Sequence, residues 1–152
     1  MSKKDREIHD LKDIESIINR AEVCRLALSY EDQPYIVPLN FGYKDNCLYI
    51  HTGKTGKKID ILKKNPRVCF QLDTDLKLLP AENPCKWNMR YRSVIGYGKA
   101  AFVDDPAEKR RALDIIVSHY SGDSGKYPDK RMDHLAIIRV EIDHMTGKRS
   151  EA

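Results

Sequence analysis

Leu48-Tyr49-Ile50-His51-Thr52-Gly53-Lys54-Thr55-Gly56-Lys57-Lys58 predicts a strand, a glycine-rich loop and then a helix that ends near Asn65. The loop joins two glycines, two threonine hydroxyls and three ammonium groups to a helix N-terminus, all of which are suited to holding a phosphate. It differs from the nucleotide-triphosphate P-loop, because only two residues separate Gly53 from Gly56 and Lys57 is not followed by Ser or Thr. A phosphate site is the first hypothesis, and a solvated basic turn is the alternative.

The composition is typical of one globular domain. The chain has 152 residues, of which 41% are hydrophobic and 33% are charged. No apolar run approaches the roughly 20 residues of a membrane span, and the charged N-terminus lacks the apolar segment of a secretory signal. We therefore expect a single cytoplasmic domain over residues 1–152 that binds no membrane.

Cysteine spacing and charge exclude two further classes of site. The four cysteines include no Cys-x-x-Cys pair, so reduced structural thiols are expected rather than a zinc site. The net charge of +4 is modest, and its basic groups are scattered apart from residues 54–64 and a short basic tail. The sequence thus predicts no metal site and no nucleic-acid partner.

The order of predicted elements favours a small α+β barrel. Helices are predicted from Asp10 to Arg20, after the glycine loop, and from the Asp105-Pro106 start signal to Tyr120. Residues 73–90 have no clear period and are predicted to be a long loop, a candidate lid or interface that contains Trp87 and Arg90. Six antiparallel strands are predicted, at residues 23–30, 35–43, 47–52, 67–72, 91–103 and 135–142.

Pro38 interrupts the second predicted strand where a strand would normally donate an amide, which indicates an edge or a bulge. Unpaired backbone groups at such an edge, followed by Asn40, could hydrogen-bond the polar rim of a flat heteroaromatic ring. An ordinary edge strand is the alternative.

Several segments, taken together and in order, carry a resemblance that runs from Asp5 to the tail motif Met145-Thr146-Gly147-Lys148. The chain resembles the pyridoxamine 5′-phosphate oxidase-like split-barrel flavoproteins, and within them the branch related to 5-nitroimidazole resistance proteins. The segments are Asp5-Arg6-Glu7-Ile8, Val37-Pro38-Leu39-Asn40-Phe41-Gly42-Tyr43, Leu48-Tyr49-Ile50-His51, Gly56-Lys57-Lys58, Asn65-Pro66 and Tyr91-Arg92-Ser93-Val94-Ile95-Gly96-Tyr97-Gly98-Lys99-Ala100.

The resemblance implies a six-stranded split β-barrel with about three flanking helices, which forms a homodimer and binds flavin mononucleotide (FMN) at the dimer interface. Each site would use both chains. Val37, Pro38, Leu39 and Asn40 would line the isoalloxazine, largely through backbone groups. His51, Thr52, Lys57 and Lys58 would serve the ribityl phosphate, and Tyr91, Ser93 and Val94 would approach from the partner chain.

The lysine pair suits a phosphate monoester, which carries close to two negative charges near neutral pH. Successive helical residues point about 100 degrees apart, so one lysine is expected to contact the phosphate directly, and Lys57 is the first choice.

His51 is the candidate catalytic residue, since the resemblance places a matching histidine near the flavin. It could also contact the phosphate, bind a small anionic substrate or make a structural hydrogen bond. The other four histidines, His9, His119, His134 and His144, lack metal-ligand spacing and are interpreted as structural or exposed.

The function that the resemblance implies is an FMN-dependent oxidoreductase similar to nitroimidazole reductases, with a small-molecule electron acceptor and NAD(P)H as a candidate donor. One alternative is a sensor or carrier that binds flavin, haem or another anionic ligand without turnover. Pyridoxamine 5′-phosphate oxidase activity is disfavoured, because the arginine-x-histidine pattern of that enzyme is missing near residues 145–152.

Overall fold

One antiparallel sheet organises the computed structural model, which describes residues 2–122 and 125–151. Within these residues the helices are α1 (Leu11–Arg20), α2 (Lys57–Lys64), α3 (Pro106–Ser121) and the short α4 (Asp129–Met132). The eight strands in the same ranges are β1 (Glu7–Ile8), β2 (Cys24–Tyr30), β3 (Gln33–Leu39), β4 (Gly42–Lys44), β5 (Cys47–Gly53), β6 (Arg67–Leu79), β7 (Asn88–Val103) and β8 (Leu135–Ser150).

The sheet curls around a single main core. Its strand order is β3-β2-β6-β7-β8-β5-β4, with β1 paired to β8. Although β2 and β5 lie far apart in this order, Leu26 of β2 and Ile50 of β5 are buried in the same cluster as Phe70 of β6 and Val140 of β8. Only a strongly bent sheet can bring such strands together, as a barrel does.

Helices α1 and α3 begin where their side-chain caps predict. The Asp10 carboxylate accepts a hydrogen bond from the Asp13 amide at the start of α1, and Asp105 accepts one from the Glu108 amide at the start of α3. The apolar face of α1 then packs into the main core, and α3 covers β4 and β5 with a second, smaller core. Among the described residues, no helix has the length and apolar character needed to cross a bilayer.

The α+β class and the antiparallel sheet are confirmed, but the sheet has eight strands rather than six. The segment predicted as one strand over residues 35–43 is divided into β3 and β4 by Asn40 and the fully buried Phe41. The backbone of Gly42 then lies so close to α3 that an added Cβ would be 2.7 Å from the carbonyl carbon of Ile115. The other additional strand, β1, has two residues, which are too few to show the alternation of apolar and polar side chains that predicts a strand.

The predicted loop at residues 73–90 is wrong, because most of it belongs to a long hairpin. β6 continues to Leu79 and β7 begins at Asn88, with a register shift between Thr74 and Lys77. That irregularity interrupts the alternation of apolar and polar residues that identifies a strand. β8 likewise extends to Ser150 along β7, beyond the predicted end at residue 142.

Candidate functional site

The glycine loop leads from β5 to the N-terminus of α2. Gly56 precedes the first helical residue and has a φ of 130°, a conformation that residues with a Cβ rarely adopt. A Cβ at Gly56 would meet no atom within 4 Å, so the loop is open to a ligand on this side. No side chain caps the helix, and its first-turn amides are therefore available to an anion.

The two lysines that begin α2 occupy different environments. Lys57 is exposed, and its ammonium lies over the Tyr35 ring of β3, 4.7 Å from the ring centre. Lys58 is half-buried, and this burial lowers the pKa of its ammonium. An anion at the helix N-terminus would offset the cost of burying the Lys58 charge.

β3 is the terminal strand of the sheet path and pairs with β2 along its whole length without a bulge. The prediction that Pro38 marks an edge is therefore confirmed. Val37 and Leu39 turn their side chains toward the core, whereas Pro38 and Asn40 are exposed. This strand therefore presents its free backbone edge and the Asn40 side chain to a ligand. The side chains of Val37 and Leu39 do not face that ligand.

His51 and Thr52 face opposite sides of β5. Leu48 and Ile50 are fully buried in the main core, so the strand alternation directs Thr52 to that side. Tyr49 packs against the second core, and His51 therefore faces α3. The structure brings His51 to a cavity beside α3, not to the loop that holds Lys57.

The cavity that His51 lines has a volume of about 530 Å³ and lies between β5, α3 and the segment of residues 127–135. Arg131 and His134 also line it, and neither was predicted as a site residue. No sequence spacing relates them to His51, so only the fold brings these three cationic or imidazole side chains together.

The predicted contributions from β7 divide between its two faces. Tyr91 and Ser93 share one face with the exposed apolar residues Met89, Ile95 and Tyr97, because side chains alternate along the strand. Val94 lies on the other face and is fully buried in the main core. We name the exposed side chains of Met89, Ile95 and Tyr97 the β7 apolar face.

The histidines outside the cavity have local partners. A ring nitrogen of His9 lies 3.2 Å from a carboxylate oxygen of Glu7, and one of His119 lies 2.6 Å from the Ala21 carbonyl oxygen. Trp87 donates its indole N–H to the Ala81 carbonyl oxygen. Across residues 2–122 and 125–151, no three His, Cys, Asp or Glu side chains are grouped so that they could hold a metal ion.

Comparison with known proteins gives a consistent pattern. The family described as pyridoxamine 5′-phosphate oxidase matches residues 10–149. The solved structure of a candidate 5-nitroimidazole antibiotic resistance protein from Bacteroides thetaiotaomicron is 39% identical, covers 95% of this chain and 90% of its own, and superposes with a TM-score of 0.84.

More distant structures share the fold. A protein from Mycobacterium smegmatis described as binding FAD and haem is 18% identical, with a TM-score of 0.85 over 97% of this chain and 74% of its own. An FAD-binding protein from Mesorhizobium loti is 23% identical, with a TM-score of 0.71 over 96% of this chain and 98% of its own. An uncharacterized protein of Rhizobium meliloti is 34% identical over 61 residues, and the match spans 40% of each protein.

Proposed function

Because this chain belongs to the pyridoxamine 5′-phosphate oxidase family, we propose that it is an FMN-dependent oxidoreductase that reduces small nitro compounds. The observation that carries the proposal is the position of Lys57 and Lys58 at an uncapped helix start, beside the free edge of β3. The start of α2 lies beside the edge of β3, because the Lys57 ammonium contacts the Tyr35 ring of that strand. A phosphate at the helix start and a ring along the strand edge could therefore belong to one ligand.

The phosphate site fits the terminal phosphate of FMN. That group is a monoester with close to two negative charges near neutral pH, and two lysines supply the matching charge. FAD instead contains a pyrophosphate, whose two charges are spread over two phosphorus groups, whereas FMN concentrates close to two charges on one terminal group, which suits two lysines at a single helix start. The helix N-terminus adds amide donors and the positive end of its dipole.

The edge of β3 would orient the flavin ring. The ring of a flavin has polar atoms along its rim. The backbone groups of residues 37–39 that point away from β2, with the Asn40 amide, offer hydrogen bonds along one line, and Pro38 can contribute only its carbonyl. When bound, FMN would supply the electron or hydride transfer, while these residues hold its orientation. No side chain of the loop is required as an acid or a base.

A homodimer would complete the site through the β7 apolar face. Met89, Ile95 and Tyr97 leave between 41% and 48% of their surface exposed, which is unusual for side chains of this size on one face. Burying that face against a second copy would place Tyr91 and Ser93, which lie on it, at the boundary between the chains. The buried Val94 would contribute through its backbone alone.

The test is the absorbance spectrum of the purified protein, as isolated and after addition of FMN, followed by anaerobic reduction with NADH or NADPH and addition of a nitroimidazole. We expect retained FMN that is bleached by one of the donors and reoxidised by the nitro compound. A protein that does not retain FMN refutes the proposal.

A carrier or sensor without turnover is the second candidate, because the loop and the strand edge can hold a flavin without any catalytic side chain. Retained FMN that no donor reduces would favour it, and a Soret band in the isolated protein would indicate haem. Oxidation of pyridoxamine 5′-phosphate in the same assay would instead indicate the activity for which the family is described.

A further inference from the structure

The cavity beside His51 is apolar on most of its surface. Leu113 and Ile116 of α3 and Met132 of α4 form its buried walls, and Val117 and Leu135 extend them. Its volume of about 530 Å³ lies within the usual range of small-molecule sites. Such walls favour a ligand with a hydrocarbon or aromatic body.

The polar groups of the cavity are cationic or hydrogen-bond donors. Of the described residues that line it, none is acidic, and Arg131 forms no ion pair with a described residue. Two carboxylates on the elements that line the cavity have other partners, since Asp129 pairs with Arg110 and Asp114 accepts a hydrogen bond from the Tyr127 hydroxyl. Among the described residues no carboxylate pairs with the Arg131 guanidinium, which can therefore hold an outside anion.

We propose that this cavity binds a small apolar carboxylate. Arg131 holds the carboxylate, and His51 and His134 offer further N–H donors at the same site. A guanidinium matches a carboxylate with two parallel hydrogen bonds, and a single guanidinium suits one negative charge better than the double charge of a phosphate monoester. The aliphatic walls enclose the rest of the molecule.

This site is separate from the phosphate loop. His51 and Thr52 face opposite sides of β5, and Lys57 leans toward β3 rather than toward α3. The inference therefore does not rest on flavin binding, and its test can succeed or fail independently of the FMN titration.

The experiment is calorimetric titration of the purified protein with benzoate, with benzamide as the neutral analogue of the same shape. We expect benzoate to bind and benzamide to bind at least about tenfold more weakly, the loss typical of a charge-assisted hydrogen bond. Arg131→Gln should weaken benzoate binding by a similar factor. Lys130→Gln removes an exposed neighbouring charge that does not line the cavity, so it should leave binding unchanged.

A second variant tests the location independently of charge. Val117→Trp fills the cavity from its half-buried edge, so it should abolish benzoate binding while circular dichroism shows a folded protein. The proposal is overturned if benzoate does not bind at millimolar concentration, if benzamide binds equally well, or if Arg131→Gln and Lys130→Gln behave alike. Unchanged binding in Val117→Trp, or haem in the purified protein that is lost in His51→Ala, also overturns it.

Discussion

The Lys57 ammonium lies 4.7 Å from the centre of the Tyr35 ring, and this contact joins the first residue of α2 to the edge strand β3. The ring face attracts the cation and holds it beside the strand edge. Lys58 is half-buried one residue later, where burial lowers the pKa of its ammonium. Both charges are therefore positioned by the fold before any anion binds.

Replacing either lysine should weaken FMN binding. We expect Lys57→Met and Lys58→Met each to raise the dissociation constant by about ten- to a hundredfold, the range for a lost hydrogen bond to a charged group, with the larger effect at Lys57. Titration of FMN at fixed ionic strength, followed by quenching of flavin fluorescence, measures this.

The matched control is Lys54→Met, which removes a charge from the same loop but not from the helix start. It should change FMN affinity by much less than either helix variant. Equal effects at all three lysines would show that only the net charge of the loop matters, and the phosphate assignment would then be wrong.

A charge on the β7 apolar face should dissociate the proposed dimer. Ile95 is 43% exposed, and Ile95→Glu would bury an unpaired carboxylate at any interface formed there. We expect sedimentation to give a monomer with normal circular dichroism and weakened FMN retention, because Tyr91 and Ser93 lose their partner. Leu11→Glu, at a similarly exposed residue on α1, is the control and should stay dimeric. A dimer that survives Ile95→Glu would exclude this face.

How far the sequence predicts the structure depends on whether a signal is local. Asp10, Pro38 and Asp105 act on neighbouring backbone groups, and their predicted roles as caps and edge marker are confirmed. The sequence does not predict the far part of the β6–β7 hairpin, because the register shift between Thr74 and Lys77 interrupts the alternation of apolar and polar residues. The convergence of Arg131, His134 and His51 depends on packing between distant segments, which no spacing encodes.

Gly96 should tolerate no side chain. An added Cβ would lie 2.1 Å from the Phe70 ring, which is fully buried in the main core. We expect Gly96→Ala to lower the free energy of unfolding by about 1–3 kcal/mol through overpacking, measured by urea denaturation. Combining it with Phe70→Leu should cost less than the sum of the two single changes, because the smaller side chain makes room.

Gly53→Ala provides the control for this prediction, since a Cβ at Gly53 would meet only the Thr55 carbonyl oxygen, at 3.9 Å. It should change stability by much less. Equal destabilisation at Gly53 and Gly96 would show that loss of glycine in a strand, and not the Phe70 ring, sets the cost.

The buried thiol of Cys24 should make the fold sensitive to alkali. Burial raises the pKa of this thiol from 9.0 to about 12, while the unfolded chain titrates near its ordinary value. The folded state thus keeps a proton that the unfolded state loses, so the stability due to Cys24 is complete below about pH 9 and declines as the pH rises toward 12. Each pH unit in this window should remove about 1.4 kcal/mol.

Urea denaturation between about pH 8 and about pH 10 measures this contribution as the difference in slope between the unmodified protein and Cys24→Ala, because burial also raises the pKa of Cys47 and of several tyrosines. Cys24→Ala should lower stability at neutral pH, since it leaves a small cavity in the core, yet it should flatten the alkaline slope by about half a proton averaged over this range, approaching one proton near its upper end. Cys85→Ala removes an exposed thiol and should keep the slope of the unmodified protein. If Cys24→Ala and the unmodified protein lose stability in parallel as the pH rises, Cys24 ionises as readily in the folded state as in the unfolded chain. That outcome would contradict the predicted effect of burial on its pKa.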